Sequence, residues 1–425
     1  MTTLLLFATF TIFLLFNVPI GICLGTSSVM ALLSSDMPLD MLPTNVSAAT
    51  GKFVLLAIPF FVFAGNIMEK SGISTKLIRL AQACVGHKRG GLPMVCVIVS
   101  CFFAAISGSG PATVAALGAI IIPAMVSAGY NAAYAAALMA LAGAIGVIIP
   151  PSTSMVVYSS VTGVSVGKMF MAGIVPGLLM GLALAVVFIF QTRNDSIKLQ
   201  PKASFPERMH AFLSALAGLL MPVIILGGIY GGIFTPTEAA AVSAVYGLVV
   251  GIFIYRSIKV NELYRILVDT AAQSGVVMFL IACASLFAWV INVEGIGNAV
   301  RGAILSFADG NLIIFLLIVN FTLLIAGCFI DVVSSFYIFT PIFLPVAIQL
   351  GYDPIMLGIV MTINTAIGLA TPPVGANLYV ACSLGNVSII QISRKLTGLI
   401  IASIVVLLLV TYLPQLSMFI PNRLL

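Results

Sequence analysis

The chain has 425 residues, 61% hydrophobic and only 7% charged, with a mean hydropathy of +1.23, where soluble domains carry roughly 25% charged residues. That excludes a single soluble core and makes the lipid bilayer the solvent for most of the chain. The net charge of +6 does not indicate nucleic acid, because the basic residues form no stripe with interleaved aromatics.

In chain order, uncharged runs of spanning length occur at 1–35, 53–68, 169–191, 211–234, 239–255, 271–293 and 396–413, each near the ~20 residues a bilayer crossing requires. The stretch 1–25 lacks a basic n-region and a small-residue cleavage site, so it reads as a first span rather than a signal peptide. Basic residues gather between spans: Lys70, Lys76, Arg79, His87, Lys88 and Arg89; then Arg193, Lys198, Lys202 and Arg208; then Arg256, Lys259 and Arg265; then Arg394 and Lys395. Asp36, Asp40, Glu294 and Asp309 occupy the alternate loops. The positive-inside rule puts the basic loops and the amino terminus in the cytoplasm and the carboxyl terminus on the far side. Residues 73–85 and 296–307 are too short to span and read as interfacial helices or as plain amphipathic connectors. The seven cysteines form no Cys-x-x-Cys pair and read as small core residues.

The most informative feature is an internal repeat at a constant offset of 222 positions: Pro123 pairs with Pro345, Gly129-Tyr130 with Gly351-Tyr352, Met139 with Met361, Gly146 with Gly368, Pro150-Pro151 with Pro372-Pro373, and Gly163 with Gly385. Each copy reads as scaffold spans, a short-legged helical hairpin (92–128 and 312–350), a span broken at Pro-Pro (132–166 and 354–384), and a closing span (169–191 and 396–413). The first repeat is 1–210, the second 235–425, and 211–234 is a linking span. Hairpins add no net crossing, so an odd number of crossings separates the copies and the second is inverted. The expected fold is therefore an all-α polytopic membrane protein with an inverted-topology repeat, two re-entrant hairpins and two broken helices, the architecture of elevator-type secondary transporters.

Unwound backbone at membrane depth persists only where protein, water or ligand satisfies it. Two related points follow, each with carbonyls and hydroxyls suited to a small cation: Ser107, Gly108, Gly143, Gly146 and Pro150 around the first, Asp331, Ser334, Gly368 and Thr371 around the second. Half-helices starting after Ser109 and Pro151 aim their positive ends inward, so Ser109, Pro151, Ser152, Ser154 and Asn377 are the candidates for a carboxylate-bearing substrate. Packed helices can also be kinked by Pro-Pro or Gly-Ser without any ligand. Asp331 is the carboxylate at a hairpin tip and reads either as an ion ligand or as a helix cap. Glu238, in Thr235-Pro-Thr-Glu238, reads as a capping-box residue or a gate.

A phosphate loop is absent, and His87 and His210 have no partners at metal-ligand or catalytic-triad spacing. The sequence therefore predicts neither an ATPase nor an enzyme, and no cofactor. A stand-alone ion-coupled carboxylate carrier and, more distantly, a channel or a membrane enzyme compete with a partner-dependent transporter.

Four segments, Ser107-Gly-Ser-Gly-Pro-Ala-Thr-Val114, Ile148-Ile-Pro-Pro-Ser152, Gly232-Ile-Phe-Thr-Pro-Thr-Glu-Ala239 and Ala370-Thr-Pro-Pro-Val-Gly-Ala-Asn377, resemble the large membrane subunit of tripartite ATP-independent periplasmic (TRAP) transporters, and the resemblance extends along essentially the whole chain. It implies a bacterial inner-membrane carrier with a periplasmic carboxyl terminus, coupled to sodium, importing a small organic anion by an elevator motion. Sialic acid is the leading substrate, with dicarboxylates and keto acids the alternatives. It also implies two partners besides the lipid bilayer: a small membrane subunit, expected as a separate polypeptide, and a periplasmic substrate-binding protein. By this similarity Ser107, Ser109, Ser154 and Asp331 lie at or near the ion and substrate sites.

Overall fold

The structure, a computed structural model, describes residues 2–35, 38–193 and 197–424, and their regular structure is helical throughout. Two short helices, α1 (Thr2–Leu15) and α2 (Ile20–Leu33), and α3 (Met41–Thr50) precede α4 (Ala57–Lys70), which is entered through a 3-10 turn at Phe53–Leu56. Then come α5 (Ile73–Val85), the hairpin of α6 (Gly91–Ser107) and α7 (Gly110–Ser127), the broken pair α8 (Ala132–Ile148) and α9 (Thr153–Thr162), and α10 (Val166–Gln191). After α11 (Phe205–Tyr230) the series returns: α12 (Pro236–Val249), prolonged by a π-turn at Val250–Ile254, then α13 (Val260–Val293) and α14 (Ile296–Ala308). Hairpin two is α15 (Leu312–Gly327) and α16 (Val332–Gln349); the second broken pair is α17 (Pro354–Gly368) and α18 (Ala376–Gly385), followed by α19 (Ile389–Tyr412) and the short α20 (Gln415–Met418) and α21 (Pro421–Leu424). Among the described residues eight helices are long and apolar enough to cross a membrane, α7 and α16 of the hairpins among them, and α8 with α9, bent by 42° at their break, passes the same test as a pair.

Four details differ from the sequence reading. Residues 1–25 do not form one span: Asn17 takes φ 60° and Pro19 stands before α2 without an N–H to continue a helix. The two resulting helices have 14 residues each, about 21 Å at 1.5 Å per residue, short of a ~30 Å hydrocarbon core. They pack on each other and on α13, with the Phe7 and Phe10 rings 6.0 and 5.5 Å from Phe287. The linking span begins earlier than expected, at Phe205, because Ser204 and Glu207 close a capping box. Lys70, Arg208, Arg265, Arg394 and Lys395 lie on helices rather than in loops, since α4, α11, α13 and α19 run on past the apolar core. Finally, α3 carried no apolar signal and is not buried at any position. Asp36 lies outside the described residues.

The two copies are interlocked. In the scaffold, α2 of the first copy packs on α13 of the second, and α12 of the second on α4 of the first. Gly25 and Gly247, one repeat offset apart, make both approaches close: an added methyl would lie 2.9 Å from Cys283 Sγ and 3.3 Å from Ile67. The core repeats the exchange, with α18 against α7 and α8, and α9 against α16. Amphipathic α5 packs between α11 and α6, while α14 packs on α16. Cysteines placed at the exposed Lys88 and Asp309, in a chain whose exposed Cys84 has been replaced, are expected to react with impermeant reagent from opposite faces. Reaction of both from one face would rule out the inversion.

Candidate functional site at the helix breaks

Hairpin one turns through Gly108, at φ +61°, and the extended Ser109. A methyl at Gly108 would lie 2.7 Å from Pro151 O, so the tip rests directly on the first break, and Thr153 Oγ1 donates to Gly108 O at 3.4 Å. Behind the tip, α8 presents Gly146, where a methyl would lie 2.8 Å from Thr113 Oγ1 and 3.0 Å from Ser109 O, and Gly143, where it would overlap Val114. These two glycines bring α7 onto α8 at backbone distance. On the scaffold side Gly65 lets α4 approach the Cα of Ser107 to 3.3 Å of such a methyl.

Ser109 and Ser152 are the N-cap residues of α7 and α9, and neither side chain caps its helix. Ser152 is fully buried and its Oγ has no partner. Two neighbouring half-helix N-termini therefore keep unmatched N–H groups and positive dipole ends, an arrangement that attracts an anion. The second copy reaches into the same place. Asn377, in the first turn of α18, donates from Nδ2 to Ala140 O at 3.0 Å, and its buried Oδ1 has no partner and would lie 2.9 Å from a methyl on Gly110. Ser107, Gly108, Ser109, Pro151, Ser152 and Asn377, drawn from both copies, thus share one locality. Pro150-Pro151 and Pro372-Pro373 are both cis. Ser154 is buried one residue into α9.

The second point is organised differently. Gly327, at the end of α15, meets Gly368 of α17 backbone to backbone: a methyl on Gly368 would lie 2.6 Å from the Gly327 Cα and overlap its carbonyl. Val374 N donates to Cys328 O at 3.3 Å, closing the tip onto the second break. Asp331 caps α16: one carboxylate oxygen accepts from Val333 N at 2.8 Å and Ser334 N at 3.2 Å, and the other accepts from the Ser334 hydroxyl at 2.5 Å. An ionised carboxylate in this position would offset the α16 dipole, unlike the uncapped starts of α7 and α9. Thr371 Oγ1 donates to Ile367 O at 2.7 Å within its own turn.

Glu238 completes a capping box at the start of α12: its Oε2 accepts from Thr235 N and Oγ1, both at 2.8 Å, and Thr235 Oγ1 accepts from Glu238 N at 3.3 Å. Pro236 beside it lines a cavity of about 450 Å³ with Val54, Ser159, Gly163 and Phe234, between α9–α10 and the scaffold. Near its rim Lys52 Nζ donates to Ser160 O at 2.6 Å, a polar link between scaffold and core. The sequence reading did not single out Gly65, Gly327 or Asn320. Gly327 falls opposite Ala105 in the repeat, so the offset that exposed the other glycines gives no signal there.

Residues 7–416 match the sequence pattern of the family described as "Tripartite ATP-independent periplasmic transporter, DctM component". The chain belongs to this DctM family. It is 44% identical over 400 residues to the C4-dicarboxylate TRAP transporter large permease protein DctM of Pseudomonas aeruginosa, covering 94% of this chain and 93% of that one. It is 42% identical over 416 residues to the isethionate TRAP transporter permease protein DctMQ of Oleidesulfovibrio alaskensis, covering 97% of this chain and 65% of that longer protein. The 2,3-diketo-L-gulonate TRAP transporter large permease protein YiaN of Escherichia coli is 37% identical over 405 residues, with 93% and 95% covered. A crystal structure of the Alcanivorax borkumensis YdaH transporter superposes with TM-score 0.64 over 90% of this chain and 88% of that one at 14% identity, a likeness of fold alone. The DctM-family chain is accordingly a multi-pass transport protein of bacterial type and not an enzyme.

Proposed function

We propose that this chain is the transport subunit of a sodium-coupled TRAP importer for a small organic anion. The observation that carries the proposal is the locality where two uncapped half-helix N-termini, the unpartnered Ser152 Oγ and the unpartnered Asn377 Oδ1 converge beneath hairpin one. The large majority of buried polar atoms in native proteins find a partner in protein, water or ligand, and the convergence of these two at uncapped helix ends supports reading them as ligand positions. Ser109, Pro151, Ser152, Ser154 and Asn377 form the substrate side. Ser107, Gly108 and Pro150 at the first break, and Asp331, Ser334, Gly368 and Thr371 at the second, form the cation side, with Gly143 and Gly146 setting the approach of α7.

In this reading α6–α10 and α15–α19 move together as an elevator against α2, α4 and α11–α13, and the Lys52 to Ser160 bond is one contact that the motion breaks. The relatives' names span C4-dicarboxylate, isethionate and 2,3-diketo-L-gulonate, which supports the class of small organic anion; sialic acid is one member to be tried. The inner membrane, with the basic helix ends in the cytoplasm, is the location. A small membrane subunit and a periplasmic binding protein complete the system.

The test is uptake of labelled organic acids, sialic acid and C4-dicarboxylates among them, into proteoliposomes holding the chain with its candidate partners. Uptake is expected to require an inward sodium gradient and no ATP. Transport that continues unchanged when choline replaces sodium would remove the sodium coupling, and transport by the chain alone would favour the stand-alone carrier.

A further inference from the structure

On the basic face of the molecule, cations gather where the turn after α5 meets the start of α11. Some of the basic residues nearby are committed: the Lys76 ammonium lies 4.1 Å over the Tyr255 ring, and Arg89 donates from Nη2 to Arg193 O. His87, Lys88, Lys202 and Arg208 stand apart from these. The loop before α11 crosses the α5–α6 turn so closely that a methyl on Gly86 would lie 2.7 Å from Gln200 Oε1. In this corner Arg208 Nε and Nη2 and His87 Nδ1 are buried and have no hydrogen-bond partner. Glu207, next to Arg208 in the chain, is taken up by the capping box of α11, its Oε2 accepting from Ser204 N at 2.6 Å. The His87 imidazole is held below its usual pKa, first by loss of solvent and then by the charges of Arg208, Lys202 and Lys88.

A solvated basic loop would satisfy the positive-inside rule without stripping water from a guanidinium. Nor does the turn itself need cations: one repeat offset later, His87, Lys88 and Arg89 are replaced by Asp309, Gly310 and Asn311. Arg208 also lies within the first turn or so of α11, near the positive end of the helix dipole, where an anion and not a cation is at home. A buried guanidinium left bare is unfavourable, whereas one facing a phosphate is satisfied by a matching fork of donors. Two apolar grooves run alongside, on either side of a ridge formed by Ile98 and Phe102 of α6: one of about 310 Å³ between α5, α6 and α11, the other of about 280 Å³ between α6 and α10. On α11 the first groove takes in Phe212, one turn beyond Arg208, and Leu219. From Arg208 to Leu219 the helix rises about 16 Å at 1.5 Å per residue, close to half of a ~30 Å hydrocarbon core. The corner therefore stands over a groove one leaflet deep.

We propose that this corner and its two grooves seat one anionic phospholipid, with His87, Lys202 and Arg208 on the phosphate and the Ile98–Phe102 ridge parting the two acyl chains. Basic pockets between membrane helices recognise such headgroups. A free phosphate would meet the cations and leave the grooves unused, and a choline lipid would fill the grooves but carry its own cation into the corner. Since α11 belongs to the scaffold and α6 to hairpin one, a lipid held here touches both parts that the elevator reading sets in motion.

The experiment follows thermal unfolding of the purified full-length chain in neutral detergent as phosphatidylglycerol, phosphatidylcholine of the same acyl chains, or inorganic phosphate is added. Phosphatidylglycerol is expected to raise Tm saturably, and the other two are not. Arg208→Gln is expected to raise the half-maximal phosphatidylglycerol concentration by about fivefold or more. Cys84→Trp, which fills the first groove without touching the charge, is expected to weaken the response as well. Arg265→Gln, which removes an exposed cation on α13, is expected to leave it unchanged. Equal responses to the two lipids, none included, overturn the proposal and leave the grooves to bulk bilayer or a protein partner. An equal response to inorganic phosphate overturns the lipid seat in favour of a bare anion site. A response in folded Arg208→Gln equal to that of the unaltered chain, or a loss in Arg265→Gln as large as in Arg208→Gln, overturns it too. If Arg208→Gln does not fold, the exposed Lys202→Gln decides by the same comparison.

Discussion

Gly368→Ala is expected to abolish uptake and to leave a chain that inserts but loses the docking of hairpin two. The methyl would stand 2.6 Å from the Gly327 Cα and overlap its carbonyl, and the obstacle is main chain, which has no rotamer to yield. Overpacking of a close-packed site typically costs 1–3 kcal/mol even where side chains can shift; here α15 and α17 must separate, which also pulls on the Val374 to Cys328 hydrogen bond. Gly358→Ala is a useful comparison, because its close neighbour is the ring of Tyr158 rather than backbone. Uptake by Gly368→Ala at the unaltered rate would show that the hairpin and the break do not need this contact.

Asp331→Asn is expected to preserve stability while raising the sodium concentration needed for half-maximal uptake by about tenfold or more, equivalent to ~1.4 kcal/mol. The reasoning separates two roles of one side chain. Asn is as good an N-cap as Asp, so its oxygen can still accept from Val333 N and Ser334 N, and α16 keeps its start. What disappears is the full negative charge, the quantity that favours a cation beside the tip. Asp331→Ala removes both, and its additional loss in thermal stability, about 0.5–2 kcal/mol for a lost cap, measures the structural part alone. Uptake and unfolding of the two variants side by side decide the matter. Unchanged sodium dependence in Asp331→Asn would make Asp331 a cap only, and the cation would then be held by neutral oxygens.

The architecture was legible because breaks in membrane helices need residues that are rare elsewhere in apolar sequence. A Pro-Pro pair and a Gly-Tyr pair recurring in one register cannot be hidden by the Ala, Leu and Val around them. The amino-terminal helices were illegible for the opposite reason: hydropathy averages over Asn17 and Pro19, so two 14-residue helices have the signature of one long span. At the site, sequence order could nominate Asn377 but could not place it against Gly110, because that contact joins the second copy to the first. Asn320 was invisible, since a single amide inside an apolar hairpin arm resembles an accident until Asn364 and Thr411 are seen hydrogen-bonded on either side of it. Glu238 was the easier case, with both halves of its capping box contiguous in sequence.

The exchange of scaffold helices between the copies also sets a timetable for biogenesis. Gly25 of α2 finds its neighbour in Cys283 of α13, and at roughly 5–20 residues per second the second follows the first out of the ribosome by on the order of ten to fifty seconds. Throughout that interval α2, at 14 residues, is too short for a comfortable crossing by itself and has only the equally short α1 of its native neighbours to pack on. The scaffold contacts of α2 with α13 and of α4 with α12 can therefore close only when synthesis has passed the midpoint of the chain.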